Sequence, residues 1–217
     1  MSKSEIGPGG RGGTAGRAET VVRAALALVD SGGLESLTMR RLATSLDMQL
    51  PTIYRLFDGK RELLDEMAET LLADVLDRVD LDGADWAEHI ALLARGMREV
   101  LLAQRDGARI VGGNYAGKEP TLTLAERTLE AMREAGFPLE TAIWAGTTVA
   151  CYVVGEVLEQ QGYRDGDAER LSASAVPGAY PNLAALPVDR FLDFDGRFEF
   201  GLRMIVTGLR GELAGGA

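Results

Sequence analysis

The fold is decided by the segment Leu37-Thr-Met-Arg-Arg-Leu-Ala-Thr-Ser-Leu-Asp-Met-Gln-Leu-Pro-Thr-Ile-Tyr-Arg-Leu-Phe-Asp-Gly-Lys-Arg61. In its first half, Met39, Leu42, Ala43 and Leu46 recur at i, i+3, i+4 and i+7, which predicts a helix with one apolar face. Thr38 stands just before that helix, where its hydroxyl can cap a free backbone N–H group.

The second half of the segment predicts a short helix that follows a tight corner. Pro51 suits the first turn of a helix, because its missing N–H needs no partner there. Ile53 and Phe57 lie one turn apart and can pack back onto the first helix. The side chains left to point outward are Thr52, Tyr54 and Arg55. Two helices in this arrangement indicate a helix-turn-helix that enters a DNA groove.

Composition places the chain among ordinary globular proteins. Of its 217 residues, 46% are hydrophobic and 26% are charged. The longest nearly uncharged apolar run, 141–155, is too short to span a membrane, and the N-terminus lacks the apolar core of a signal peptide. The single cysteine, Cys151, excludes an internal disulfide and favours a reducing compartment. We therefore expect a cytoplasmic protein with no membrane partner.

The net charge of −10 is unevenly distributed along the chain. Residues 1–60 hold eight Lys and Arg against six Asp and Glu, and the remaining residues hold 15 against 27. Phosphate contacts are local, because charges are screened beyond about 8–10 Å at physiological salt. An acidic body is therefore compatible with a DNA-binding N-terminal module.

The remaining periodicity is helical, and no alternating strand pattern occurs. We predict an all-α protein with a disordered tail over 1–16, a helix-turn-helix domain over 17–60 and a ligand-binding and dimerisation domain over 61–217. The helix predicted over Leu139–Gln161 has apolar residues on more than one face, so it is either buried on several sides or lies at a subunit interface. The residues from 162 to 193 are predicted to form a long loop.

The N-terminal part of the sequence resembles the DNA-binding domain of the TetR family of bacterial repressors. The residues that carry this resemblance are Leu34, Leu37-Thr38, Leu42-Ala43, Pro51-Thr52-Ile53-Tyr54, Phe57 and Lys60-Arg61-Glu62-Leu63-Leu64. The segments Gln104–Arg109, Gly136-Phe137 and Gly155–Gln161 resemble the ligand domain of its tetracycline-binding members. The resemblance implies a homodimer, formed through the helices Leu139–Gln161 and Phe194–Leu213, that binds double-stranded operator DNA and a small-molecule effector.

Position by position, the resemblance also assigns DNA contacts. It implies base contacts for Arg40 and Thr52, and phosphate contacts for Thr38, Pro51, Tyr54 and Lys60. Leu50 and Leu56 stand where tetracycline-binding members have polar residues, and Arg55 adds a possible guanine or phosphate contact. We therefore expect a different operator. Leu56 equally fits a place in the core beside Ile53, and that alternative stays open.

In the ligand domain, the resemblance points to a changed effector. The family's tetracycline-binding members hold the drug-bound magnesium with a histidine where this chain has Val111. A hard cation needs several oxygen ligands, so we expect neither a metal site nor a cofactor. The pocket is expected to be mostly apolar and to suit a hydrophobic small molecule. Its predicted lining is Leu93, Met97, Val111, Asn114, Thr128, Leu129, Ile143, Thr147 and Ala150, each of which also fits a plain core position.

Two further side chains, those of His89 and Cys151, carry groups that can take part in catalysis or metal binding. His89, alone on its helix, fits a surface or interface position, and Cys151 among apolar neighbours fits a buried one. No nucleophile–base pair is evident, which argues against a helical enzyme. A small-molecule-sequestering protein with a vestigial DNA domain remains an alternative. The glycines around the short segment Gly107–Gly113 suggest that this segment moves on effector binding. If it does, replacing both Gly107 and Gly112 with alanine is expected to weaken induction and to leave the affinity for DNA unchanged.

Overall fold

The described part of the chain is helical. The computed structural model of the protein describes residues 11–176, 178–185, 187, 190 and 192–215, with the backbone alone for 11–15. The helices are α1 (Arg11–Gly32), α2 (Met39–Ser45), α3 (Leu50–Tyr54), α4 (Lys60–Arg78), α5 (Trp86–Ala103), α6 (Gly107–Val111), α7 (Glu119–Glu134), α8 (Leu139–Gly162), α9 (Asp167–Ser174), α10 (Pro181–Ala184) and α11 (Phe194–Gly215), with a 3-10 turn at Leu34–Ser36. No strand occurs within those residues, and the all-α prediction is confirmed.

Two predicted boundaries differ from the structure. Helix α1 begins at Arg11 rather than at about Arg17, so the end of the predicted disordered tail is helical, and the rest of that tail, residues 1–10, lies outside the described residues. The predicted loop 162–193 contains the short helices α9 and α10. Helix α5 begins at Trp86, where the Asp85 carboxylate accepts bonds from the Ala87 and Glu88 N–H groups at 2.9 Å and fixes its start.

Helix α4 belongs to both halves of the molecule. Its first turn buries Leu63, which joins the core around α1 and α2, and its last turn buries Val75 beside α5. Arg23 of α1 forms a paired contact with Asp74 of α4, with N–O distances of 3.0 and 3.1 Å. A displacement of α4 therefore moves the N-terminal helices with it.

Residues with a left-handed backbone end two of the helices. Asp47 follows α2 with φ 51°, and Gly136 follows α7 with φ 101°. In both places the next residue's N–H reaches back five residues, from Met48 to the Ala43 carbonyl and from Phe137 to the Met132 carbonyl. The first of these ends forms the corner of the predicted helix-turn-helix.

Helix α8 has two different sides. Ala142, Val149 and Val153 are buried, whereas Trp144 on another side is 62% exposed. By length and composition alone α8 could cross a membrane, a criterion that a core helix of a soluble protein also meets. Its partial burial against α5 and α7 fits a helix with one side packed in its own domain and one side left open.

Candidate DNA interface and ligand domain

The scaffold of the helix-turn-helix is apolar. Ile53 is fully buried and Phe57 is 2% exposed, so both pack into the core that contains Leu42, as predicted. Thr38 caps α2, where its Oγ1 accepts a bond from the Arg41 N–H at 3.1 Å. These contacts fix α3 although it has only five residues.

The predicted DNA contacts share the outer surface of α2, α3 and the start of α4. Thr38, Arg40, Pro51, Tyr54, Arg55 and Lys60 are exposed, and Thr52 is half-buried. Arg55 Nη2 donates to Thr52 Oγ1 at 3.2 Å, which links a predicted base contact to an adjacent cation. Leu50 and Leu56 are half-buried and pack against the core. Core packing is therefore part of the role of Leu56, and the remainder of its surface faces outward.

A network of polar contacts connects the helix-turn-helix to the turn between α5 and α6. Gln104 is buried, and its Nε2 donates to the Leu26 carbonyl at 3.2 Å and to Asp30 Oδ1 at 2.6 Å. Asp30 Oδ1 also accepts from the Arg105 N–H at 2.9 Å. We call this set, together with the contacts of Leu34 and Glu35 to α6, the interdomain bridge.

The second part of the interdomain bridge is ionic. Arg109 of α6 pairs with Glu35 and with Asp106, the latter at 3.0 Å. The hydrogen bond from Arg109 lowers the pKa of Glu35 to about 2, and the same two carboxylates raise the pKa of Arg109. Helix α6 is thus attached to the DNA-binding part by charge as well as by backbone contacts.

The predicted pocket residues fall into two groups. Leu93, Met97, Val111 and Leu129 pack against the core on α5, α6 and α7, and Thr128 donates to the Leu124 carbonyl. On α8, Ala150 is half-buried, whereas Ile143 is 47% exposed and Thr147 is exposed on the same side as Trp144. Asn114, the ninth residue, is half-buried after α6 and donates to Glu69 of α4. The exposed Ile143 and Thr147 therefore lie apart from the packed group within a single chain.

Two cavities border the turn between α5 and α6. One, of about 480 Å³, lies between α4 and α5, and the other, of about 610 Å³, lies beside the interdomain bridge. The first is lined by Leu71, Asp74, Asp77, Arg78, Val100, Ala103 and Gln104. The second is lined by Asp30, Glu35, Leu102, Ala103, Arg105, Asp106, Arg109, Gln161 and Arg164. Neither touches a predicted pocket residue.

The glycines around α6 serve close packing. A Cβ on Gly107 would lie 2.3 Å from the Leu101 carbonyl oxygen, and one on Gly112 would lie 2.8 Å from the Ala108 carbonyl oxygen. Alanine at either position would therefore have to displace backbone, so the double substitution would disturb the packing of α6 as well as any movement of it on effector binding.

Two predictions about single side chains are wrong. His89 is only 6% exposed, its Nε2 has no hydrogen-bond partner in the described part of the chain, and burial, with a smaller contribution from Arg127, lowers its pKa. Cys151 is exposed on α8. Both errors have one cause, because the sequence does not show which side of a helix its neighbours cover.

Titratable groups form no obvious cation site. Among the described residues, no group of three or more His, Cys, Asp and Glu side chains could hold a metal ion. Three polar residues that sequence reasoning missed do have structural roles, namely Asp30 and Gln104 in the interdomain bridge and the buried Glu69 of α4. Gln104 lies in a segment quoted for the family resemblance, but no local pattern signals the burial of Glu69.

Comparison with known proteins agrees with this geometry. The family model "Bacterial regulatory proteins, tetR family" matches residues 21–67, and "Tetracyclin repressor-like, C-terminal domain" matches residues 80–213. The chain belongs to the TetR family. The helix-turn-helix is therefore the family's DNA-binding domain, and the helices after residue 80 form its ligand-binding domain.

TetR-family relatives match over nearly the whole chain. Tetracycline repressor protein class A from transposon 1721 of Escherichia coli is 39% identical over 88% of each chain. The structure of a possible TetR-family transcriptional regulator from Streptomyces coelicolor A3(2) is 41% identical, with a TM-score of 0.81 over 89% of this chain and 98% of that one. ActR of Streptomyces coelicolor, solved in complex with (S)-DNPA, is 32% identical, with a TM-score of 0.78 over 92% and 98%.

Proposed function

We propose that this TetR-family regulator is a cytoplasmic repressor that binds a palindromic operator as a homodimer and releases it when a hydrophobic small molecule binds. The observation that carries the proposal is the exposed surface of Arg40, Tyr54 and Arg55 on a scaffold fixed by Ile53 and Phe57. A guanidinium can bond to guanine with two N–H groups at once, and a nearby hydroxyl and lysine can hold phosphates.

The proposed dimer is supported by two exposed apolar helix faces. Ile143 and Trp144 of α8 are 47% and 62% exposed, and Phe200 and Met204 of α11 are 57% and 47% exposed. Helices α8 and α11 pack on each other, so these residues can form one surface for a second copy of the chain. A two-fold axis through that surface would place two DNA-binding domains on a palindrome.

The effector is proposed to be apolar and distinct from magnesium-tetracycline. Val111 is buried at the place where the resemblance implies a metal-holding histidine in tetracycline-binding members. Leu93, Met97 and Leu129 contribute further apolar surface around it. A related protein, ActR, binds (S)-DNPA, which supports the idea that a TetR-family chain of this kind can accept an organic ligand other than tetracycline.

Release of DNA is proposed to begin at α6. The interdomain bridge joins α6 to the DNA-binding part, so an effector that displaces α6 also strains the contacts of Leu34 and Glu35. A ligand shifts the equilibrium only by its preference between two states, and a preference of about 100-fold corresponds to about 2.7 kcal/mol.

A gel-shift titration with DNA from the region upstream of its own reading frame tests the proposal. We expect a retarded band that weakens with salt and that Arg40→Ala greatly reduces. A band indifferent to Arg40→Ala, or none at low salt, would instead favour a ligand-sequestering protein.

A thermal-shift screen of metabolites and antibiotics tests the effector. A ligand that binds only the folded state raises Tm by mass action. Magnesium-tetracycline is the control: a magnesium-dependent rise in Tm with that drug would contradict the apolar-effector proposal.

A further inference from the structure

Glu69 in the middle of α4 is a buried carboxylate that, among the described residues, accepts hydrogen bonds from Asn114 and from Thr121 at the start of α7. The residue is 3% exposed. Its Oε1 accepts bonds from Asn114 Nδ2 at 3.0 Å and from Thr121 Oγ1 at 2.6 Å, and its Oε2 accepts from the Thr121 N–H at 3.1 Å. We call these three contacts the Glu69 latch.

The Glu69 latch is costly to open. Hydrogen bonds to an ionised carboxylate are stronger than neutral ones, and a buried carboxylate left without donors pays its full desolvation penalty. Lys118 adds an ion pair to Glu66 at 2.6 Å, but both side chains are partly exposed and such pairs contribute little. Glu69 therefore ties the start of α7 and the preceding loop to α4 more strongly than the Lys118–Glu66 pair does, in addition to the packing of α4 against α7.

The position of Glu69 connects two regions that have different tasks. Helix α4 begins at Lys60, a proposed phosphate contact, and is tied to α1 by the Arg23–Asp74 pair. Asn114, the side-chain amide in the latch, is one of the residues predicted to face an effector. A ligand that accepts a hydrogen bond from the Asn114 amide in place of Glu69 would remove one of the three donors to the Glu69 carboxylate.

We propose that Glu69 is a positioning residue that couples residues 112–121 to α4, and through α4 to the DNA-binding surface. The inference rests on the proposed function and adds a second connection beside the interdomain bridge. Coupling between two sites is reciprocal, so operator binding must alter the stability of residues 112–121 even though these residues do not touch DNA.

Hydrogen–deuterium exchange of the full-length protein, with and without a duplex from its own upstream region, measures that coupling directly. In the natural protein we expect operator binding to change exchange in residues 112–121 by about fivefold or more, the lower end of ordinary allosteric coupling. Gel-shift of the same samples shows independently that DNA is bound.

Glu69→Gln weakens the latch without changing the size of the side chain. Glutamine keeps one acceptor oxygen and has an NH2 group in place of the other, so it loses either the bond from the Thr121 N–H or the bond from Asn114. It also loses the negative charge that strengthens the bonds that remain. We expect the exchange response of residues 112–121 to become smaller while DNA is still bound. Thr70→Val is the matched control, because Thr70 lies next to Glu69 on the same helix and its Oγ1 donates to the Glu66 carbonyl of that helix.

A swapped pair separates the latch from general stability. Asn114→Asp alone places a second carboxylate 3.0 Å from Glu69 and is expected to abolish the response. Combined with Glu69→Gln, it restores a donor opposite an acceptor, so the double variant should recover the response. Circular dichroism confirms that each variant is folded.

The outcomes distinguish the two proposals. Recovery in the double variant and a normal response in Thr70→Val support the inference. The inference alone is overturned if DNA binding leaves the exchange of residues 112–121 in the natural protein unchanged. It is also overturned if folded Glu69→Gln shows the same exchange response as the natural protein. Absence of any DNA binding overturns the proposed function and this inference together.

Discussion

The Asp106 carboxylate accepts a hydrogen bond from the Leu34 backbone N–H at 2.8 Å, although the two residues are 72 positions apart in the chain. Asp106 stands at the start of α6 with a left-handed backbone at φ 58°. Leu34 opens the 3-10 turn that leads into the helix-turn-helix. The start of the proposed effector-responsive helix thus caps a backbone turn of the DNA-binding domain.

Asp106→Ala should destabilise the protein, and Asp106→Asn should do so less. Alanine loses the bond to the Leu34 N–H and disfavours the left-handed backbone, and together these effects cost about 1–3 kcal/mol. Asparagine keeps an acceptor and tolerates that conformation, so it loses chiefly the ion pair with Arg109. Urea unfolding at pH 7 measures the free energy of unfolding of both variants. If both variants lose the same amount, the hydrogen bond to the Leu34 N–H contributes nothing to stability.

Glu35 should remain ionised well below the usual pH range of a glutamate. Its pKa is lowered from 4.5 to about 2 by the hydrogen bond from Arg109. Because the folded pKa is depressed, the stabilisation is present above pH 4.5 and is lost as the pH falls towards 2. The side chain is 72% exposed, so added salt should weaken the effect.

NMR titration of the Glu35 carboxyl at low salt measures this pKa, with Arg109→Gln as the comparison. We expect the midpoint to return towards 4.5 in the variant. The same low midpoint in both proteins would mean that Arg109 is not the cause.

Arg40→Ala should weaken operator binding by about 10- to 100-fold, which corresponds to about 1–3 kcal/mol for a guanidinium that contacts a base. Lys60→Ala should weaken specific and nonspecific duplexes alike and lower the salt slope by about one, as expected for a phosphate contact. Fluorescence anisotropy at several salt concentrations measures both effects. Arg133→Ala, at an exposed arginine of α7 that lies outside α8 and α11, is the charge-matched control and should change neither.

Gly107→Ala should lower the free energy of unfolding by about 1–3 kcal/mol, the usual cost of overpacking a tight contact. The added methyl group would meet the Leu101 carbonyl oxygen, which belongs to backbone and cannot rotate away. Gly16→Ala is the control: it has open space around its Cβ position and lies within α1, so it should be neutral or stabilising by up to about 1 kcal/mol. Thermal unfolding that ranks the two variants in the opposite order would contradict the packing argument.

Trp144→Asp should convert a dimer to a monomer and reduce operator affinity, because a charge would stand in the centre of the proposed interface. Sedimentation velocity measures the oligomeric state. Leu122→Asp, at a residue of α7 that is 58% exposed and lies outside α8 and α11, serves as the control and should leave the dimer intact. A natural protein that sediments as a monomer would disprove the interface itself.

The elements predicted best from the sequence are those fixed by local chemistry. Thr38 was predicted to cap the first helix of the helix-turn-helix, and its Oγ1 accepts the Arg41 N–H. Ile53 and Phe57 were placed in the core by spacing alone, and their burial is confirmed.

The features that were missed depend on residues distant in the chain. Glu69 is buried because Asn114 and Thr121 return to α4 from a later loop, and Asp30 is linked to Gln104 across 74 positions. Cys151 was misplaced because α8 is apolar on several sides, and its own composition does not say which side stays open. Local pattern therefore located the helices, whereas tertiary contacts decided the polar connections between them.

The shortness of α3 has a consequence for how such regulators diverge. Its five residues are held by Ile53 and by Phe57 just beyond it, while Pro51, Tyr54 and Arg55 face outward. Surface substitutions that remove no helix cap and no buried contact usually change the free energy of unfolding by less than about 0.5 kcal/mol, so replacement of Tyr54 or Arg55 can change operator preference without loss of the fold. Leu50 and Leu56 are half-buried and pack against the core, so substitutions at these two positions would affect the fold as well as the DNA-binding surface.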